Sequence, residues 1–192
     1  SWAEYTDLYV NDAFGASHRA HASIVGLPEL IKDKCVGFLM EKELAMLGNL
    51  LDGPEHPYIA ILGGAKVSDK IGVIENLIDR VDGFIVGGAM AYTFLSAQGI
   101  SVGKSRVETD KVRFAKELIQ RIESRNKKIH LPVDHVIADQ LENPTQVKIT
   151  TDASIPDGWL GLDIGPKTLA NYRNALGAAK TVLWNGPMGV FE

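Results

Sequence analysis

The segment Gly63-Gly64-Ala65-Lys66-Val67-Ser68-Asp69-Lys70 sets two glycines directly ahead of two lysines spaced i, i+4. On a helix that spacing puts both lysine stems on one face near the N-terminus. There the like charges repel each other and both oppose the helix dipole, each effect costing roughly a few tenths of a kcal/mol. An anion reverses the sign, because a phosphate gains the dipole, free backbone N–H groups and two ammonium donors. The competing reading is a solvated face with Asp69 screening the lysines. Spacing alone leaves the two level, and the preceding Gly-Gly favours phosphate. Asp69 offers a carboxylate to a divalent cation beside that phosphate, but a single carboxylate is weak support for a metal.

A second cationic spot is His18-Arg19-Ala20-His21. Histidines at i and i+3 suit a metal, yet neither Cys nor carboxylate accompanies them, which argues against zinc. An arginine between histidines suits a carboxylate or phosphate through its bidentate fork. Taken alone, Arg19 reads as a surface side chain.

The remaining chemistry lies in glycines where strands end. Gly63-Gly64 follows the apolar run Tyr58–Leu62, and Gly87-Gly88 follows Phe84–Val86. Gly161 to Gly165 lies just before a helix, and Gly186 follows the run ending at Trp184. Any one of these pairs makes a tight strand-to-helix turn. Several together point to one ligand crevice at the carboxyl ends of parallel strands, where a missing Cβ lets backbone N–H groups approach. The sequence holds neither G-x-x-x-x-G-K-[ST] nor a G-x-G-x-x-G after a strand, so the P-loop and dinucleotide fingerprints are both absent.

The elements that must carry these residues alternate. Leu8–Val10 reads as a short strand leading into the Asn11–Gly15 turn, and Val25-Gly26-Leu27-Pro28 reads as a loop. Lys34 to Leu51 is predicted as a helix stopped by Asp52-Gly53-Pro54. Strands at 58–62, 84–86, 128–132, 135–138 and 181–184 alternate with helices at 67–78, 89–97, 109–124 and 166–178, the last with Pro at its first turn. This pattern predicts an α/β fold: a Rossmann-like, largely parallel sheet with helices on both faces, three layers in all.

Composition narrows the function classes. The 192 residues are 45% hydrophobic and 23% charged, ordinary globular values. The net charge is −4 without a Lys/Arg run, which argues against nucleic-acid binding. The single Cys35 fits a reducing, cytoplasmic setting, and no signal peptide is recognisable. From Gly83 to Gly103 there is no charged residue, but Gly87-Gly88 splits the stretch and Thr93, Ser96, Gln98 and Ser101 interrupt it. A strand, a turn and a buried helix explain it better than a membrane span.

Taken together these residues resemble phosphoglycerate kinase. Tyr9–Gly15 with His18–Ser23 is similar to the end of that family's N-terminal lobe, and Lys42-Glu43-Leu44 falls where its lobe-connecting helix lies. Leu62–Ile71 is similar to its most specific motif. Gly87–Phe94, Gly161–Pro166 and Trp184–Glu192 match further blocks in order. The resemblance implies a two-lobed enzyme transferring a phosphoryl group between ATP and the carboxylate of 3-phosphoglycerate, with Mg²⁺ accompanying ATP or ADP. It implies Arg19 on the phosphoglycerate with His18 nearby, Lys66 on the transferring phosphoryl group and Lys70 on the nucleotide phosphates. Gly64, Ala65, Gly87, Gly88, Gly161 and Leu162 would shape the adenine pocket. Asn185, Pro187 and Glu192 would line the phosphate and ribose side. Full-length members of the family are usually monomeric.

The chain departs from the family pattern by lacking most of the N-terminal lobe and the Gly-rich phosphate loop with its Mg²⁺-binding Asp; which residues would hold the metal is left unassigned. Ala16-Ser17 and Ala89 are minor changes. The expected organisation is therefore a fragment: 1–33 from the N-terminal lobe, 34–53 the interdomain helix and 54–192 a truncated nucleotide-binding lobe. Such a fragment is expected to be inactive alone, with an unpaired sheet edge and an uncovered apolar face. The alternative function is a non-catalytic nucleotide-binding module.

Overall fold

The computed structural model describes residues 2–190, and the chain divides into two compact units, residues 1–54 and 55–192. In the first unit, β1 (Tyr9–Asn11) pairs in parallel with β2 (Lys34–Val36), Tyr9 opposite Lys34 and Asn11 opposite Val36. The predicted helix from Lys34 therefore starts late. Lys34–Val36 is strand, and helix α2 runs Phe38–Leu51, following α1 at Leu27–Leu30. The break is Gly37. It caps α2 in an extended conformation, and a Cβ there would collide with the Asp12 carboxylate, which accepts the Met40 N–H at 2.9 Å. Asp12 thus satisfies one of the helix's orphan donors from outside the helix. The predicted loop at 25–28 is helical instead: a π-type turn at Ala22–Gly26 runs into α1, whose first turn holds Pro28 without losing a hydrogen bond.

The second unit is built on a four-stranded parallel sheet of order β5-β4-β3-β9. Its strands are β3 (Tyr58–Leu62), β4 (Gly83–Val86), β5 (Lys128–His130) and β9 (Thr181–Asn185). The helices of this unit are α3 (Ile71–Leu77), α4 (Met90–Ala97), α5 (Val112–Ser124) and α6 (Pro166–Leu176). Every residue of β3 and β4 is buried, as strands covered on both faces require. Ile59, Ile61 and Ile85 pack with Tyr172 of α6, and the Tyr172 hydroxyl donates to the Val86 carbonyl at 2.6 Å. Connections between parallel strands are right-handed as a rule, and here β3 to β4 and β4 to β5 step one way along the sheet while the return to β9 steps the other. That places α3 to α5 opposite α6.

A separate three-stranded antiparallel sheet has the order β7-β6-β8, with β6 at His135–Ala138, β7 at Val147–Ile149 and β8 at Leu160–Ile164. The expectation of one largely parallel sheet holds for the first sheet and fails here. Residues 128–130 and 135–138 lie in different sheets, divided by Pro132 and Asp134. The stretch at Gly161–Gly165, expected as a glycine-rich approach to a helix, is mostly strand. β7 was not expected at all; its exposed Val-Lys-Ile pattern carries little signal.

The entry to α6 is fixed by a buried carboxylate. Asp134 is 1% exposed and accepts the Lys167 N–H at 2.9 Å, the Thr168 N–H at 2.7 Å and the Thr168 hydroxyl at 2.6 Å. The Thr168 Oγ1 in turn accepts the N–H groups of Val133 and Asp134 at 2.9 and 3.1 Å. This reciprocal arrangement works like a capping box with one partner supplied from a remote loop. Burial alone would raise Asp134; the donors from Thr168 and Lys167 overcome it and hold the carboxyl below its ordinary value. Gly165 makes room, because a Cβ there would strike the Asp134 carboxylate.

Candidate functional site

Strand order reverses at β3. The chain leaves it toward β4 on one side, while β9 lies on the other, so the crevice above the carboxyl ends of β3 and β9 is a topological switch point. Three loops meet there. The Gly63 N–H donates to the Asn185 carbonyl at 2.9 Å, and the Gly64 N–H to the Pro187 carbonyl at 2.9 Å. The Gly88 N–H donates to the Met188 carbonyl at 2.6 Å, and the Met90 N–H to the Gly64 carbonyl at 3.0 Å.

Two glycines show why this corner needs them. Gly88 (φ +66) would carry a Cβ 2.6 Å from the Gly64 nitrogen and oxygen, so its role is to let loop backbones touch. Gly64 (φ +111) differs. Within 4 Å of its missing Cβ there is only the Lys70 Cε, at 3.9 Å, so the space above it is open.

Lys70 reaches across the switch point, its ammonium donating to the Asn185 side-chain oxygen. The lysine pair is not the helical pair that spacing predicted. Lys66 is an exposed residue of the irregular segment before a tight 3-10 turn at Ser68–Lys70, and α3 begins only at Ile71. The cause is a remote carboxylate. Glu108 accepts the Ser68 N–H at 3.1 Å and the Ser68 hydroxyl at 2.6 Å, holding the turn from outside. Desolvation would raise the Glu108 carboxyl; the Ser68 side chain and the backbone at Ser68 and Val67 more than offset this and lower it. Nothing in the sequence near Ser68 points to Glu108.

Of the expected site residues, Gly64, Lys70, Gly88, Asn185 and Pro187 come together in one set of contacts. Ala65 is exposed beside Gly64. The Gly87 N–H continues the ladder to the Leu62 carbonyl at 2.8 Å. Leu162 joins through its carbonyl, which accepts the Val190 N–H at 2.9 Å. Gly161 lies on β8, where a Cβ would strike the Tyr92 hydroxyl, and its N–H donates to Ser105 Oγ at 2.9 Å. Tyr92, on α4, fills the space beside Gly161, a contact that no local pattern in the sequence announces; it is 4% exposed, and burial, helped by the Asp163 charge, raises its hydroxyl. His18 and Arg19 are exposed residues of the first unit. Glu192 lies outside the described residues.

A hollow of about 690 Å³ lies on the α6 side of the parallel sheet, lined by Ile61, Ile85, Tyr172, Trp184 and Met188 among others. Of the expected residues only Pro187 lines it. Its wall is mostly apolar, with Asp163 and Arg173 as its charged members, and it is distinct from the neighbouring corner where Gly64 and Lys70 meet. Among the described residues, no group of three or more His, Cys, Asp or Glu is placed to hold a metal ion. Asp69 remains a lone exposed carboxylate.

Comparison with known proteins gives a consistent result. The family model described as phosphoglycerate kinase matches residues 1–192. A phosphoglycerate kinase of Bdellovibrio bacteriovorus is 62% identical over 190 residues, covering 99% of the chain and 47% of the relative. One from Anaeromyxobacter sp. is 55% identical over 190 residues, covering 99% and 48%. Among solved structures, phosphoglycerate kinase from Coxiella burnetii superposes with a TM-score of 0.85 at 40% identity, over 99% of the chain and 49% of that structure. The Pyrococcus horikoshii enzyme gives 0.83 at 33% identity, over 99% and 48%. The chain spans about half the length of the curated relatives it matches.

Proposed function

Because the chain belongs to the phosphoglycerate kinase family, we propose that the corner at Gly64, Lys70 and Asn185 holds the phosphates of MgADP or MgATP. The whole protein, on this reading, transfers a phosphoryl group reversibly between ATP and the carboxylate of 3-phosphoglycerate. The observation that carries the reading is the Lys70 ammonium resting on the Asn185 side chain beside the open face of Gly64, at the switch point of the sheet. An ammonium held by one neutral amide retains donors for an anion.

In the forward step a carboxylate oxygen attacks the γ-phosphorus as the bond to the ADP oxygen breaks, and ADP carries away the electron pair. Positioning and charge neutralisation supply most of the catalysis in such a transfer. Lys66 neutralises the transferring group, and Lys70 and Asn185 fix the remaining phosphates. Ala65, Gly87, Gly88, Gly161 and Leu162 shape the adenine pocket, Gly64 borders both that pocket and the phosphate corner, and Pro187 and Glu192 lie toward the ribose. Arg19 and His18 serve the acidic substrate. Residues 1–33 derive from the substrate lobe, 34–53 connect the lobes, and 54–192 belong to the nucleotide lobe. We place the protein in the cytoplasm; among the described residues no helix is long and apolar enough to cross a membrane.

Titrating the chain calorimetrically with MgADP is expected to give a saturable heat and a raised melting temperature, as any ligand of the folded state must. No heat and no shift would refute the nucleotide reading. A second reading, nucleotide binding without turnover, is favoured by the phosphate corner's lying wholly within the second unit. In a coupled assay with 3-phosphoglycerate and MgATP the chain is expected to show no activity above background. Clear turnover would remove the second reading.

A further inference from the structure

Glu108 joins two parts of the site that are far apart in sequence. Its carboxylate takes both donors of Ser68, in the turn that carries Lys70, while its own N–H donates to Thr93 Oγ1 at 3.1 Å. Thr93 is 1% exposed on α4, the helix that starts just after the Gly87-Gly88 loop. The Ser68 contacts span a sequence separation of 40 residues. They also occupy the backbone donor that an anion at this turn would use first, so attraction for phosphate falls on the ammonium groups and on how they are held.

Resting on the nucleotide reading above, we propose that Glu108 is a positioning residue for nucleotide phosphates: it clamps the Ser68–Lys70 turn against α4 and so sets where the Lys70 ammonium stands. It acts through Ser68 and touches no reacting atom. A flexible lysine on an unclamped turn loses orientation before it loses charge. The loss therefore falls on phosphate-bearing ligands and spares the adenosine part.

The test compares MgADP with adenosine, which carries no phosphate, by titration against the wild-type chain, E108A, S68A and the double variant. Wild type is expected to bind both. E108A is expected to weaken MgADP about tenfold and leave adenosine within about twofold, since orientation is what the variant removes. S68A, which keeps its N–H, is expected to lose about threefold, and the double variant no more than E108A, because the two residues act as one unit. Cooperative melting checks folding, and E108Q, which retains one acceptor, replaces E108A if the latter does not fold. Equal losses for MgADP and adenosine, or wild-type MgADP affinity in the Glu108 variant, would overturn the proposal and leave the nucleotide reading standing. A wild-type chain that binds neither ligand would overturn both.

Discussion

Asp134→Ala is expected to destabilise the second unit by about 3 kcal/mol, a large fraction of an ordinary domain's stability. The substitution strands the Lys167 and Thr168 N–H groups, both now paired with a carboxylate that is 1% exposed, and leaves the Thr168 hydroxyl only the Asp134 carbonyl, at 3.0 Å. Thr168 is buried and its N–H cannot recover water, so the full desolvation cost of that donor remains. The pH dependence follows from the depressed Asp134 carboxyl. Its contribution is complete above the unfolded value, near pH 4, and is lost as pH falls through the lower folded value. Urea melts between pH 7 and pH 2 check both effects. Wild type should weaken on acidification, and Asp134→Asn should start lower and fall less steeply. Glu108 and Asp82 are depressed too, so the variant's curve flattens without becoming level. A variant as stable as wild type at pH 7 would contradict the capping role.

Lys70→Ala is expected to weaken MgADP about 30-fold, equivalent to roughly 2 kcal/mol, the worth of one charge-assisted contact. Adenosine affinity should not change, and melting temperature should move little, because Lys70 is only half-buried and its side-chain partner, Asn185, can turn to water. Lys70→Arg separates charge from shape. A planar guanidinium keeps the charge but does not fit the same point contact with Asn185, so partial recovery is expected. Titration of both variants with both ligands is the measurement. Unchanged MgADP affinity in Lys70→Ala would remove the lysine from the phosphate site.

The parallel sheet was legible in the sequence because its signals are local. Tyr58–Leu62, Phe84–Val86 and Thr181–Trp184 are short apolar runs that end in glycine, and each is strand. β8 was less legible because Gly161 and Asp163 interrupt its apolar pattern, and β6 pairs with it antiparallel. The boundary at Gly37 was hidden for a similar reason. Cys35, Val36, Phe38 and Leu39 form an apolar run without a periodic break, and Gly37 explains itself only once Asp12 is placed beside it.

In the site, residue types at loop ends were legible and their supports were not. Gly64, Lys70, Gly88, Asn185 and Pro187 could be picked out and do converge. Spacing alone misplaces the two lysines because i, i+4 implies a shared helical face only inside a helix, and Ser68 starts a tight turn held by Glu108. Glu108 and Asp134 act on Ser68 and Thr168 across sequence separations of 40 and 34 residues. Neither pairing leaves a local pattern.

The register of the parallel sheet sets a timetable for biosynthesis. Tyr58 pairs with Thr181 and Leu62 with Asn185, so the first strand of this sheet must wait for the last. A nascent chain can pair β3 with β4 early, but that half-formed sheet leaves one flank of β3 bare until Thr181–Asn185 has emerged from the ribosome. Contacts so distant along the chain form slowly, and an unpaired apolar strand is most prone to wrong partners during that delay. Ribosome-tethered stubs ending before residue 181 should therefore bind chaperones more than stubs that extend past residue 185, in which the switch-point crevice can close.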